Sequence, residues 1–153
     1  NMQTGTVAGA ITLAVSGLQA GGAAITAPAA LTGRLARAAP TIMNACTGAV
    51  GQGFFVQVTG FATSREVTRA NFQFNAASGV TLEGSQQSLG NAETLFNDWF
   101  RKTESFGVGG QFKLRVDFAV DNGSFASIGG GSVTLANNAG NPVTANFTTA
   151  ACP

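Results

Sequence analysis

Apolar and polar residues alternate most regularly between Gly110 and Val120. Every second position there is apolar, and the positions between them, apart from Ala119, are charged or carry an amide: Phe112, Leu114, Val116, Phe118 and Val120 alternate with Gln111, Lys113, Arg115 and Asp117. A period of two places the apolar set on one face of a β-strand. This stretch therefore predicts a half-buried strand that must lie against a hydrophobic layer.

The same period recurs on both sides of this strand. Before it, the pattern predicts strands in TIMNACTG, FFVQVTGF and VTRANFQFN, the last two as an antiparallel pair, and a short edge strand in VTLEG. After it, SVTLAN and PVTANF flank the turn NNAGN and predict a closing hairpin. About seven strands after Pro40 at these spacings predict an all-β fold, an antiparallel two-sheet sandwich.

The period changes in the segment NAETLFNDWFRK. Leu95, Phe96, Trp99 and Phe100 fall on one face of a helix, with Asn91 at its N-cap. The pattern predicts one short helix. Trp99 has two interpretations, a sugar-stacking aromatic or a core residue, and its three large apolar neighbours favour the core.

Residues 1–39 form a segment rich in Gly, Ala and Thr. Ile11, Leu13 and Val15 alternate in GAITLAVSG, and a Gly21-Gly22 turn and weaker apolar positions follow. This pattern predicts two or three short strands, which cannot enclose a core alone. We expect an N-terminal β-strand segment, 1–39, that completes the sandwich 40–153, belongs to a preceding domain, or pairs with a neighbouring molecule.

Charge is scarce in this chain. Eight Lys and Arg nearly balance seven Asp and Glu, so there is no basic footprint for nucleic acid.

No apolar run reaches the 18 residues that a membrane span requires. The N-terminus also lacks the signal-peptide pattern, so a secreted form has lost its signal or derives from a longer precursor.

The chain contains no histidine, the commonest general base and metal ligand. We therefore expect no enzymatic activity, no metal and no cofactor.

Asp117, Asp121 and Asn122 could hold a hard cation, but Asp117 alternates with core positions as a solvated residue does. Asn122-Gly-Ser and Asn146-Phe-Thr match the N-glycosylation sequence, which is common by chance.

The two cysteines, Cys46 and Cys152, lie near the ends of the predicted first and last strands. They are either a disulfide or two unrelated thiols. No CxxC pair or nucleophile signature offers either thiol another role, which favours the disulfide. Closing a loop of about 100 residues stabilises a fold by up to roughly 4.7 kcal/mol in the chain-entropy model.

The segments VTGF, ATSREVTRANFQF, LFNDWF, GGQFKLRVDFAV and GSVTLANNAGNPVTANF lie between Pro40 and Phe147. Together they resemble immunoglobulin-like terminal domains of large secreted bacterial proteins, over about two-thirds of the chain. The opening GAITLAVSGLQAGGAAIT resembles the closing strands of a preceding repeat. The resemblance implies an extracellular, structural or adhesive role without catalytic residues. In immunoglobulin-like sandwiches the first strand can run parallel to the last, so the resemblance also implies that Cys46 and Cys152 are neighbours.

The favoured function is a non-enzymatic extracellular structural subunit. Ile11, Leu13 and Val15 would form a strand-donor interface, because β-strand addition combines main-chain hydrogen bonds with pockets for alternate side chains. Copies of the chain would then join head to tail into a fibre or surface array.

The alternative is a cell-surface or glycan-binding accessory module of a larger secreted protein. Phe55 and Phe61 are its candidate aromatic surface, together with Phe54. The opposing interpretation is that both faces of their strand are buried. An enzyme is a distant third hypothesis.

Overall fold

The computed structural model describes residues 7–120 and 125–152. Strands predominate in them, which confirms the all-β prediction. The elements are β1 Gly9–Leu13, β2 Gln19–Ala20, β3 Ala23–Ala24, β4 Leu31–Leu35, β5 Thr41–Val50, β6 Gly53–Phe61, β7 Arg69–Ala76, β8 Gln86–Ser88, α1 Ala92–Arg101, α2 Thr103–Gly107, β9 Gln111–Ala119, β10 Ile128–Ala136 and β11 Val143–Phe147. A short 3-10 helix, Phe125–Ser127, precedes β10.

Two antiparallel sheets form the body of the protein, with strand orders β5-β6-β9 and β11-β10-β7-β8. The predicted pairing of FFVQVTGF with VTRANFQFN is wrong, because β6 pairs with β5 and β9 while β7 pairs with β10 and β8. Residues 62–68 cross between the sheets. The predicted hairpin of β10 and β11 is confirmed.

The alternating apolar residues of both sheets meet in one buried cluster. It includes Phe54, Val56 and Val58 of β6, Phe72 and Phe74 of β7, Phe112 and Leu114 of β9, and Val133 and Leu135 of β10. Rings from the two sheets touch, since the Phe54 and Phe74 centroids lie 5.2 Å apart in an edge-to-face arrangement. The period of two therefore identified the inward faces correctly.

One side of the body is closed by the chain that follows β11. Thr47 of β5 forms a parallel bridge with Ala151, and its hydroxyl donates to the carbonyl of Thr148. On the other side, β8 and β9 are the edges of their sheets. The predicted edge strand at VTLEG is wrong: residues 77–85 form no strand, because the amide of Val80 donates to the carbonyl of Ala77 in a turn.

The predicted single helix is two short helices, α1 and α2. Phe96 and Phe100 of α1 are buried, and Trp99 is half-buried against the core with its Nε1 donating to the Gln111 carbonyl. Leu95, predicted on the same buried face, is 41% exposed. A ten-residue helix lying across a sheet presents a narrow stripe, which here excludes Leu95.

Arg65 fastens both helices to the β6–β7 connection. Its guanidinium donates to the carbonyls of Phe100 and Gly109 and to Ser105 Oγ, and it lies 4.7 Å from the ring centroid of Phe106. These contacts supply a donor to the Phe100 carbonyl at the end of α1 and to the Gly109 carbonyl just beyond α2, where helices leave carbonyls without an intrahelical partner.

Candidate functional site

Residues 7–35 form a β-ribbon in which β1 pairs antiparallel with β4. We call this element the ribbon. The strand Gly9–Leu13 thus has a partner within its own segment, which its sequence pattern did not reveal. At the distal end Gln19–Ala20 pairs with Ala23–Ala24, and Gly21 and Gly22 between them have φ of 58° and 84°. Two positive φ values in a two-residue loop suit a tight hairpin turn.

The ribbon has one apolar and one polar face. Leu13 faces Leu31 across the strands, and Ile11, two positions earlier, faces Gly33. The opposite face carries the Thr12–Thr32 and Ala10–Arg34 pairs. Cross-strand partners project to the same side of a ribbon, and neighbouring residues of a strand project to opposite sides. The leucine pair therefore lies on one face and the threonine pair on the other.

The apolar face of the ribbon is exposed. Leu13 is 66% exposed, Leu31 70% and Ile11 40%, whereas inward residues of the body strands are buried. Val15, the third predicted donor residue, is also exposed but follows β1 outside the strand. The structure thus places Ile11 and Leu13 on one strand face and Val15 beyond it.

Hydrogen bonds tie only the base of the ribbon to the body, among the described residues. The amide of Ala8 donates to the Thr63 carbonyl, Thr63 Oγ1 joins the backbone of Ala36 and Ala38, and Asn137 Nδ2 donates to the Ala38 carbonyl. Thr63 and Asn137 lie at the end of the body where β6 and β10 finish. The ribbon therefore extends from that end.

The candidate aromatic residues lie on the outer face of the sheet β5-β6-β9. Phe55 and Phe61 are half-buried there, whereas Phe54 is 2% exposed in the core. Six strand positions separate the two outer rings, or about 20 Å at 3.4 Å per residue. The guanidinium of Arg115 lies 3.9 Å from the Phe55 ring centroid and covers it, while Arg115 also pairs with Asp117.

Cys46 and Cys152 form a disulfide, as predicted. Cys46 lies in the middle of β5 rather than near its end, and Cys152 lies beyond β11. The parallel bridge between Thr47 and Ala151 brings the two cysteines together, with their Cα atoms 5.1 Å apart. The neighbour relationship that the resemblance implied is thus present.

The candidate cation site and the two glycosylation sequences lie only partly within the described residues. Asn146 is exposed on β11, and Asp117 is on the outer face of β9, paired with Arg115. Asp121 and Asn122 lie outside the described residues, so the candidate cation site and the first glycosylation sequence have no structural description.

A cavity of about 670 Å³, which no sequence pattern indicated, opens at the opposite end of the body from the ribbon. Phe54, Phe74 and Phe118 line it from the core, and residues 80–84 line it from outside. The sequence signal that could have found it is the apolar pair Val80 and Leu82, which line this cavity instead of forming an edge strand.

These features define an all-β protein with two antiparallel sheets, a disulfide and an exposed N-terminal ribbon. No protein-family model, curated protein or solved structure matches the chain. Among residues 7–120 and 125–152, neither helix has the length and apolar character needed to cross a membrane.

Proposed function

We propose that this protein is a non-enzymatic extracellular structural subunit that assembles with copies of itself by β-strand addition from its ribbon. The observation that carries the proposal is the exposed apolar face of Ile11, Leu13 and Leu31 on a ribbon with a polar opposite face. Amphipathic sheets are stable when the apolar face is covered, and a contiguous exposed apolar surface marks an interaction site.

Covering this face contributes favourable free energy to association. Burying a fully exposed leucine side chain contributes about 1.5–3 kcal/mol, so covering Leu13 and Leu31, which are 66% and 70% exposed, contributes about 2–4 kcal/mol. Within the described chain, β1 and β4 have no strand neighbour besides each other. Each therefore offers an edge whose backbone groups can pair with another strand.

The proposed extracellular setting rests on the disulfide and the surface composition. Disulfides persist in oxidising compartments and are rare in the cytosol. Only 10% of the residues are charged, so Thr, Ser, Asn, Gln and Gly supply much of the polarity. A surface of this kind allows close packing between copies without strong charge repulsion.

We further propose that the body is an immunoglobulin-like sandwich. In support, its strands divide between the sheets as β5-β6-β9 and β8-β7-β10-β11, and consecutive strands β6 and β7 lie in opposite sheets. The parallel bridge of β5 with the chain after β11 agrees with the same arrangement.

The glycan- or surface-binding alternative has less support from the geometry. Phe55 and Phe61 share a face, but about 20 Å of strand separates them, and Arg115 covers the ring of Phe55. Leu13 and Leu31 of the ribbon are more exposed than either ring and have no cover in the described chain.

Light scattering of the disulfide-intact protein over a range of concentrations tests the proposal. We expect the wild type to form species larger than a monomer and Leu13→Thr/Leu31→Thr to remain monomeric, because threonine keeps the strand but removes the apolar contact. The matched control is Thr12→Ser/Thr32→Ser, the neighbouring cross-strand pair on the polar face, which should assemble like the wild type. A wild type that stays monomeric at every concentration would contradict the proposal.

A further inference from the structure

We infer that the ribbon of one copy docks into the open side of the next copy's body, between the C-terminal half of β9 and residues 80–87. This inference rests on the proposed function and names the surface that receives the ribbon. It commits to a second copy of this chain as the occupant.

Residues 7–120 and 125–152 cover the core incompletely on this side. The inward residues Phe112 and Leu114 of β9 are buried, but Val116 and Phe118 further along the same face are only half-buried. The helices explain the difference: Phe96 of α1 meets Phe112 edge to face at 5.0 Å and covers the first half of the strand. No helix covers the second half in the described part of the chain, and the cavity opens there.

Aromatic rings form the floor of this cavity. Phe118 lies 5.3 Å from Phe54 and 4.9 Å from Phe74, measured between ring centroids. The volume of about 670 Å³ is within the range of sites that enclose a small ligand, so leucine-sized side chains fit inside. Half-buried Phe118 brings this apolar floor to the surface, where it can contact an apolar side chain.

The backbone around the cavity also offers an edge for strand addition. β9 pairs only with β6 among the described strands, and its residues Asp117–Ala119 border the cavity. Across the opening, β8 is three residues long and residues 77–85 form no strand. A strand laid along β9 would gain main-chain hydrogen bonds and place alternate side chains in the cavity.

The two surfaces lie at opposite ends of the molecule. The ribbon is tied to Thr63, just beyond Phe61, whereas the cavity adjoins Gly53 at the other end of β6. The eight strand positions from Gly53 to Phe61 span about 27 Å at 3.4 Å per residue. A ribbon that extends away from one end meets the other end of a second copy, which makes a head-to-tail contact that propagates.

Head-to-tail docking covers more of the incompletely buried apolar surface than ribbon-to-ribbon stacking does. Two ribbons stacked on their apolar faces would leave the half-buried Val116 and Phe118 without further cover, whereas docking covers these residues and the apolar face of the ribbon at once. Charge agrees as well. The charged residues of 7–39 are Arg34 and Arg37, both positive, and the segment 80–84 that lines the cavity carries the acidic residue Glu83.

The test combines two variants that each disable one surface. Leu13→Thr/Leu31→Thr disables the ribbon, and Val80→Arg places a charge in the cavity, which Val80 lines while 39% exposed. Val108→Arg is the matched control, since Val108 is 40% exposed at the end of α2. Gly84→Trp is a second cavity variant that adds bulk without charge, and circular dichroism verifies that each variant is folded.

We expect each cavity variant to weaken self-association by at least about tenfold, equivalent to 1.4 kcal/mol, and Val108→Arg to assemble like the wild type. A mixture of the ribbon variant and a cavity variant should form a 1:1 dimer that grows no further. In that dimer the intact ribbon of the cavity variant occupies the intact cavity of the ribbon variant.

Two results would overturn the inference in different ways. Folded cavity variants that assemble like the wild type would reject this docking surface while leaving the ribbon's role in place. A wild type that stays monomeric would reject the proposed function together with the inference.

Discussion

Cys46 and Cys152 are joined across 106 residues of sequence, and the bond fastens the last residues of the chain to the middle of β5. The bridge lies on the side of the body where Thr47 of β5 pairs with Ala151 in the segment that follows β11. It therefore constrains nearly the whole body and leaves the ribbon free.

Removing this disulfide is expected to lower the stability of the body substantially. Replacing both cysteines by serine should reduce the free energy of unfolding by about 2–5 kcal/mol, because the unfolded chain regains the entropy of a loop of about 100 residues. Urea denaturation of the variant and of the wild type, each with and without reductant, measures the difference. Equal stability of the two proteins without reductant would contradict the prediction.

Arg65 is expected to stabilise the helices through the several N–H donors of its guanidinium group. Arg65→Ala removes the charged donor from the carbonyls of Phe100 and Gly109, of which Phe100 keeps the hydroxyl of Ser105, and hydrogen bonds from charged groups are worth about 1.5–3 kcal/mol each. We expect a loss of about 2–3 kcal/mol in denaturant unfolding.

Two controls separate the geometry of Arg65 from its charge. Arg65→Lys keeps the charge but cannot reach several acceptors at once, so most of the loss should persist. Arg69→Ala, on the exposed first residue of β7, should change stability by less than about 0.5 kcal/mol. Full stability of Arg65→Lys would show that charge alone is sufficient.

The neighbours Leu95 and Phe96 are expected to differ sharply in their effect on folding. Phe96 is 3% exposed and Leu95 is 41% exposed, although both were predicted on the inner face of the helix. Phe96→Ala should cost about 3–5 kcal/mol because it leaves a cavity beside Phe112. Leu95→Ala should cost less than about 1 kcal/mol. Thermal or urea unfolding of the two variants distinguishes these positions, and equal losses would contradict the assigned helix face.

Gly131 is expected to tolerate no side chain. A Cβ atom at this position would lie 2.1 Å from the carbonyl oxygen of Gln73 on β7 and 2.7 Å from the ring of Phe147. Gly131→Ala must therefore push β7 away from β10, at a cost of about 1–3 kcal/mol or more. Gly90→Ala is the control, because nothing lies within 4 Å of a Cβ atom there. Unfolding midpoints in urea provide the comparison, and unchanged stability of Gly131→Ala would contradict the close approach of the strands.

The strand pairing illustrates where the sequence was informative and where it was not. The alternation in Phe54, Val56 and Val58 identified one face of β6 as buried, as it did for Phe72 and Phe74 of β7. It could not identify the neighbours of these strands, because any strand with an apolar face satisfies the same local pattern. Proximity in sequence suggested that β6 and β7 pair, yet they lie in opposite sheets.

For the ribbon, too, the sequence predicted a strand but not its neighbours. The alternation of Ile11, Leu13 and Val15 predicted a strand, and β1 contains the first two residues. Its pairing with Leu31–Leu35, the exposure of its apolar face and the cavity at the far end of the body had no local signal. The division of the chain at Pro40 and the strand-donor role remain predictions.

The sequence by itself determined the strand class of this protein and the residues that face inward, because a period of two is a local property of the backbone. It also indicated the disulfide, since no other chemistry suited the two cysteines. Only the tertiary structure decided which strands are neighbours, which helix residues reach the core and which apolar surfaces stay uncovered. Those outcomes depend on contacts between residues far apart in the chain, and exposure is a property of the whole packed arrangement.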